Sequence, residues 1–98
     1  GAQVSGSYVV AIDGEAIAIG VRADYVVERR GRRFVAEVKT GAEATRIETT
    51  ATRRQLLEYQ IAFDCDGVLL IDANEGRVHT VTFPLFVTPR AATRRRSA

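Results

Sequence analysis

Lysine is almost absent from this chain. Of its fourteen basic side chains, only Lys39 is not arginine. Cysteine is equally scarce, and the single Cys65 excludes an internal disulfide framework, which fits a reducing compartment. Lying between Asp64 and Asp66 with no second cysteine nearby, it reads as a buried inert thiol rather than a nucleophile or zinc ligand. No apolar run approaches the ~20 residues that a membrane span needs, and no signal-peptide pattern opens the chain. The expectation is a cytoplasmic protein with no membrane segment. Excess charge is lacking too. A net charge of +2 does not by itself announce a nucleic-acid binder.

What is present is the composition of one small globular domain: 98 residues, 46% hydrophobic and 27% charged. The arginines cluster, with Arg29, Arg30, Arg32 and Arg33 around one glycine, Arg53 and Arg54 together, and Arg94, Arg95 and Arg96 near the end. Such groups can neutralise phosphates, but they are also common on solvated turns and tails.

Residues 1–7 read as a linker or boundary, 8–84 as the folded domain and 85–98 as a basic tail. A strand over 8–12 runs into Asp13-Gly14, a strong hairpin signal. Residues 15–29 form one long β-rich run in which Ile17, Ile19, Val21 and Ala23 alternate, with Gly20 marking a bend or bulge. Arg30-Gly31 makes a second turn before a strand over 34–39. Residues 52–64 contain good helix formers, no glycine and no proline, with Leu56, Tyr59 and Phe63 on one side and Leu57 and Ile61 on another. Strands over 67–71 and 77–83 follow, joined by Asn74-Glu75-Gly76. The order is β-β-β-α-β-β, an α/β mixed sheet whose helical crossover lets the third and fourth strands run parallel.

Alternation along 34–39 puts Phe34, Ala36 and Val38 on one face, expected to be the core, and Val35, Glu37 and Lys39 on the other. If Arg30-Gly31 is a two-residue loop, Arg29 pairs with Arg32 and Asp24 lies opposite Glu37. Any even loop keeps Asp24 on the face of Glu37 and Lys39, whereas an odd one turns it away. Two carboxylates and an amine then converge. With a neighbouring backbone carbonyl, such carboxylates make a hard-oxygen site for Mg²⁺ or Mn²⁺ bound to phosphate, and an ammonium beside it positions the attacking water. A surface ion pair is the plainer alternative for the triplet alone.

Asp24, Glu37-Val38-Lys39 thirteen positions later, the following Thr40-Gly41 and the helical "QLLEY" stretch occur in an order that resembles the PD-(D/E)xK nuclease superfamily, closest to its RecB-like group with a Q-x-x-x-Y motif. The resemblance covers about residues 15–83 and implies a restriction-endonuclease-like core. It also implies that Asp24, Glu37 and the carbonyl of Val38 hold Mg²⁺ and that Lys39 assists the water. Gln55 and Tyr59 would face the active site and the substrate backbone, beside Thr40, Arg53 and Arg54. Gln55 also has a structural explanation, since Thr52-x-x-Gln55 is a capping-box pattern, and Tyr59 could be an ordinary core aromatic. Ala23 stands where the motif has proline. The superfamily's N-terminal core helix has no counterpart before Tyr8, so the chain is expected either to be part of a longer polypeptide or to lack one ligand.

The resulting expectation is a Mg²⁺-dependent deoxyribonuclease, with a homodimer as one candidate assembly, that by the resemblance cleaves a phosphodiester to leave a 5′-phosphate and a 3′-hydroxyl. A DNA-binding module with the nuclease fold but an incomplete site, and a non-catalytic protein-interaction domain, are the alternatives.

Overall fold

The computed structural model describes residues 3–84. Its elements are β1 (Val4–Ile12), β2 (Glu15–Ala23), β3 (Tyr25–Arg29), β4 (Arg32–Lys39), α1 (Thr50–Phe63), β5 (Gly67–Asp72) and β6 (Arg77–Val81). The fold is α/β, with a four-stranded mixed sheet in the order β3-β4-β5-β6, a separate β1-β2 hairpin and one crossover helix. β4 and β5 are parallel, as the helical connection allows, and the other neighbours are antiparallel.

Both tight turns follow their sequences. Asp13-Gly14 and Arg30-Gly31 each place two consecutive residues at positive φ (52° and 82°, 56° and 78°), the conformation that matches the twist of a two-residue hairpin. Arg29 therefore pairs with Arg32, and the register expected for β3 and β4 is the one observed.

Three expectations are corrected. The first strand starts at Val4, so residues 4–7 belong to the hairpin rather than to a linker. The long run 15–29 is two strands, giving β-β-β-β-α-β-β, and it breaks at Asp24 rather than Gly20. Gly20 continues β2 without interruption, opposite Ser7. At Asp24 a side chain replaces the ladder: its Oδ2 accepts the Val38 N–H at 2.9 Å, an amide that a continued strand would have met with backbone. The proposed basic tail, 85–98, lies outside the described residues.

The third correction concerns the core. Helix α1 lays Leu56, Tyr59 and Phe63 on the face of the sheet that carries Val35, Val68 and Leu70, and Ala23 and Cys65 complete this cluster. That is the face of Glu37 and Lys39. The opposite face, expected to be the core, carries Phe34, Ala36 and Val38, and no helix among the described residues covers it. Tyr25 (53% exposed), Val78 (59%), Val27 and Val38 lie open there, and the Arg32 guanidinium sits 5.4 Å from the Phe34 ring centroid. Both faces are apolar, so alternation separated them without saying which one the helix takes.

Helix α1 begins at Thr49, which makes no side-chain cap, and ends at Asp64 in the left-handed conformation. Asp66 then ties the helix exit to β4, its N–H donating to Arg33 O and its Oδ2 accepting Arg33 N–H, both at 2.8 Å. The buried Cys65 thiol has a raised pKa, chiefly from desolvation, in keeping with an inert side chain.

The hairpin is anchored at Gly6, where an added Cβ would come within 2.8 Å of the Phe63 ring. That ring is itself held edge-on against Tyr59, at 6.1 Å between centroids. Gly6→Ala is expected to cost about 1–3 kcal/mol through overpacking, read as a lower denaturant midpoint at unchanged slope.

Candidate active site

The carboxyl end of β4 delivers Glu37 and Lys39 to the helix-covered face. Glu37 is only 8% exposed, and each of its oxygens has a partner. The Tyr59 hydroxyl donates to Oε1 at 2.9 Å, and the Lys39 ammonium lies 3.7 Å from Oε2. Behind them, Gln55 Nε2 donates to the Tyr59 hydroxyl at 2.8 Å. Gln55 and Tyr59 lie four residues apart, one helical turn, so both reach the same spot on the sheet.

The capping-box alternative for Gln55 is excluded by this arrangement. Thr52 lies inside the helix and is buried, and its hydroxyl donates to Ala44 O at 3.0 Å. Gln55 is bonded to Tyr59 instead. Tyr59 is both a core aromatic and the donor that grips Glu37.

Asp24 approaches from the bend before β3. One carboxylate oxygen is occupied by the Val38 amide. Its charge is felt at Glu37, whose pKa is raised: burial is the main cause, Asp24 adds to it, and the Tyr59 hydrogen bond and Lys39 oppose it. The Tyr59 pKa is pushed well above the ordinary phenol value by burial first and by Glu37 second, so the hydroxyl remains a donor.

Two carboxylates beside the start of an open loop, with the Val38 backbone between Glu37 and Lys39, fit a cation that keeps most of its waters. Mg²⁺ is commonly bound by one or two carboxylates together with substrate phosphate. Among the described residues, no three His, Cys, Asp or Glu side chains form a ready cage for a metal. The third carboxylate near this strand end is Asp72, buried and paired in register with Lys39. Its Oδ1 accepts the N–H groups of Asn74 and Glu75, both at 3.0 Å, so it builds the β5–β6 turn. Its sequence neighbourhood, a turn, gave no sign of proximity to Lys39.

The remaining candidates divide. Thr40 follows β4 directly and is exposed. Arg54 lines a groove that also includes Lys39 and Gln55. Arg53 faces elsewhere, its Nη1 donating to Ile47 O at 3.3 Å and Glu48 O at 3.1 Å, where it closes the loop before the helix. The two arginines should therefore separate on substitution. If the groove takes nucleic acid, Arg54→Ala should weaken that binding and lower the slope of log affinity against log salt by roughly 0.7–0.9, the share of one phosphate contact. Arg53→Ala should leave that slope unchanged and cost about 0.5–1.5 kcal/mol of stability. Titrating labelled DNA at several salt concentrations, with thermal melts alongside, separates these effects.

Residues that sequence reasoning passed over also line the groove. Tyr8 of β1 donates its hydroxyl to Glu58 Oε2 of α1 at 2.7 Å, across fifty positions of sequence. No local pattern signals a contact of that range.

No helix among the described residues is long and apolar enough to cross a membrane. No family model matches the chain, and no curated protein matches it. Among solved structures, the chain is similar to the crystal structure of SSO0001, with a TM-score of 0.64 and 17% identity, over 95% of this chain and 48% of that one. The chain thus spans about half the length of that protein, and the likeness is one of α/β fold.

Proposed function

We propose that this chain is a Mg²⁺-dependent deoxyribonuclease domain of the PD-(D/E)xK type, acting in the cytoplasm. The observation that carries the reading is the line Gln55–Tyr59–Glu37–Lys39, which joins two separate sequence motifs through contacts of 2.8, 2.9 and 3.7 Å. A surface ion pair needs neither burial of the carboxylate nor a helix to grip it. Here Glu37 is desolvated, near a second carboxylate and beside the only lysine of the chain. Such perturbed groups are concentrated at functional sites.

In this reading Asp24, Glu37 and the Val38 carbonyl hold the ion, which would polarise the phosphate and acidify a bound water. Lys39 orients the attacking water and offsets negative charge as it develops on the phosphate. Tyr59, kept protonated and fixed by Gln55, holds the Glu37 carboxylate in one orientation. Arg54, at the groove rim, steadies the substrate backbone.

Metal linkage tests the site without relying on turnover. Mn²⁺ at a hundredfold excess over its dissociation constant should stabilise the protein by about 2.7 kcal/mol. Asp24→Asn should abolish the rise in melting temperature. A parent melt unchanged by millimolar Mn²⁺, together with intact labelled DNA after incubation, would leave the DNA-binding and protein-interaction alternatives in place of this one.

A further inference from the structure

The groove beside Lys39 has a volume of about 760 Å³ and is lined by α1, the loop that precedes it and Tyr8 of β1. Lys39, Gln55 and Arg54 belong to its lining, but the rest of the lining differs in character. Leu57, Ile61 and the Tyr8 ring form an apolar wall, and Glu43 and Glu58 add two carboxylates. A sugar–phosphate backbone is repelled by carboxylates and gains nothing from aliphatic side chains. The flat face of an unpaired base suits such a wall, because base–aromatic stacking needs no positive charge. Tyr8 is also pre-set: the 2.7 Å hydrogen bond to Glu58 fixes its hydroxyl and limits ring motion, so little freedom remains to be lost on stacking.

We infer that this groove receives an unpaired nucleobase of the strand whose phosphate lies at Lys39, with Tyr8 as the stacking platform and Glu58 as its positioning residue. This inference rests on the nuclease reading above and deepens it: the substrate is DNA with an unstacked nucleotide at the cut site. Continuity supports the assignment, since Lys39 and Gln55 belong to both the site and the groove wall. The open sheet face, also apolar, has no such connection, because its residues point away from Lys39.

The test compares the binding of a short oligothymidylate and an abasic oligonucleotide of equal length and charge, in chelator, so that neither is cut. The parent chain should prefer the oligothymidylate by about tenfold, the lower part of the range for one stacked base. Tyr8→Leu should abolish the preference while leaving affinity for the abasic strand unchanged, and Tyr8→Phe, which keeps the ring but loses its bond to Glu58, should retain only part of it. Photocrosslinking with a 5-iodouracil oligonucleotide provides a readout on the unaltered protein, with the adduct expected at Tyr8. Equal affinity for the two oligonucleotides, or adducts confined to Tyr25 or Tyr59, would overturn the base groove and leave the nuclease reading standing. Affinity for neither oligonucleotide would overturn the reading on which it rests.

Discussion

On the proposed nuclease reading, Lys39→Arg should fold, bind Mn²⁺ and DNA as the parent does, and lose cleavage by about 10²–10³-fold, the usual worth of one positioned donor that stabilises developing charge. Charge is conserved in this exchange, so any loss comes from shape and acidity. Lysine offers a compact ammonium on a flexible stem, and its pKa responds to its surroundings, whereas arginine is planar, wider and never deprotonated in practice. Lys39 Nζ lies 3.7 Å from Glu37 Oε2, close enough to share its surroundings without capturing the carboxylate. A guanidinium here would favour a two-pronged grip on Glu37 and crowd the position of the attacking water. Single-turnover cleavage of end-labelled DNA in Mn²⁺ decides the point. Parental rates in Lys39→Arg would reduce the lone lysine to a simple charge, and the proposed role would be lost.

Glu37→Gln should move stability and activity in opposite directions: on the same reading cleavage and metal response are abolished, yet the metal-free protein is more stable. The folded-state pKa of Glu37 is raised above its ordinary value, with burial the first cause and Asp24 adding to it. A raised pKa means that the folded protein holds this proton more tightly than the unfolded chain. The resulting stability is present below the unfolded pKa and is lost as pH rises through the folded one. Ionising Glu37 in its buried position is thus a local cost to stability. Glutamine keeps an acceptor for the Tyr59 hydroxyl and removes the desolvated charge. The substitution should raise the melting temperature of the metal-free protein. It should also flatten the fall in stability above the ordinary carboxylate range. Melts across pH in chelator measure both, and a destabilised Glu37→Gln would indicate that the Lys39 ion pair outweighs desolvation.

The local chemistry of this chain was legible residue by residue. Asp13-Gly14 specifies a two-residue turn because Asp and Gly tolerate consecutive positive φ, whereas at Arg30-Gly31 the glycine alone favours it; that second turn fixes by parity the register that brings Asp24 towards Glu37. The spacing of Leu56, Tyr59 and Phe63 determined the buried side of α1, and that of Gln55 and Tyr59 determined their shared direction. One helix between Lys39 and Gly67 allowed β4 and β5 to run parallel, as they do.

Tertiary structure decided what depends on partners distant in sequence. Which face of the sheet becomes the core was undetermined by alternation, because Val35, Val68 and Leu70 on one side and Phe34, Leu69 and Ile71 on the other are equally apolar. Docking of α1 broke the tie, and in doing so desolvated Glu37 and handed it to Tyr59. The break at Asp24 was hidden because its cause, the Val38 amide fourteen positions away, is a side-chain bond that no β-propensity encodes. The Tyr8–Glu58 bond was equally hidden, since period and propensity describe neighbours along one element, whereas a groove is made where two elements meet.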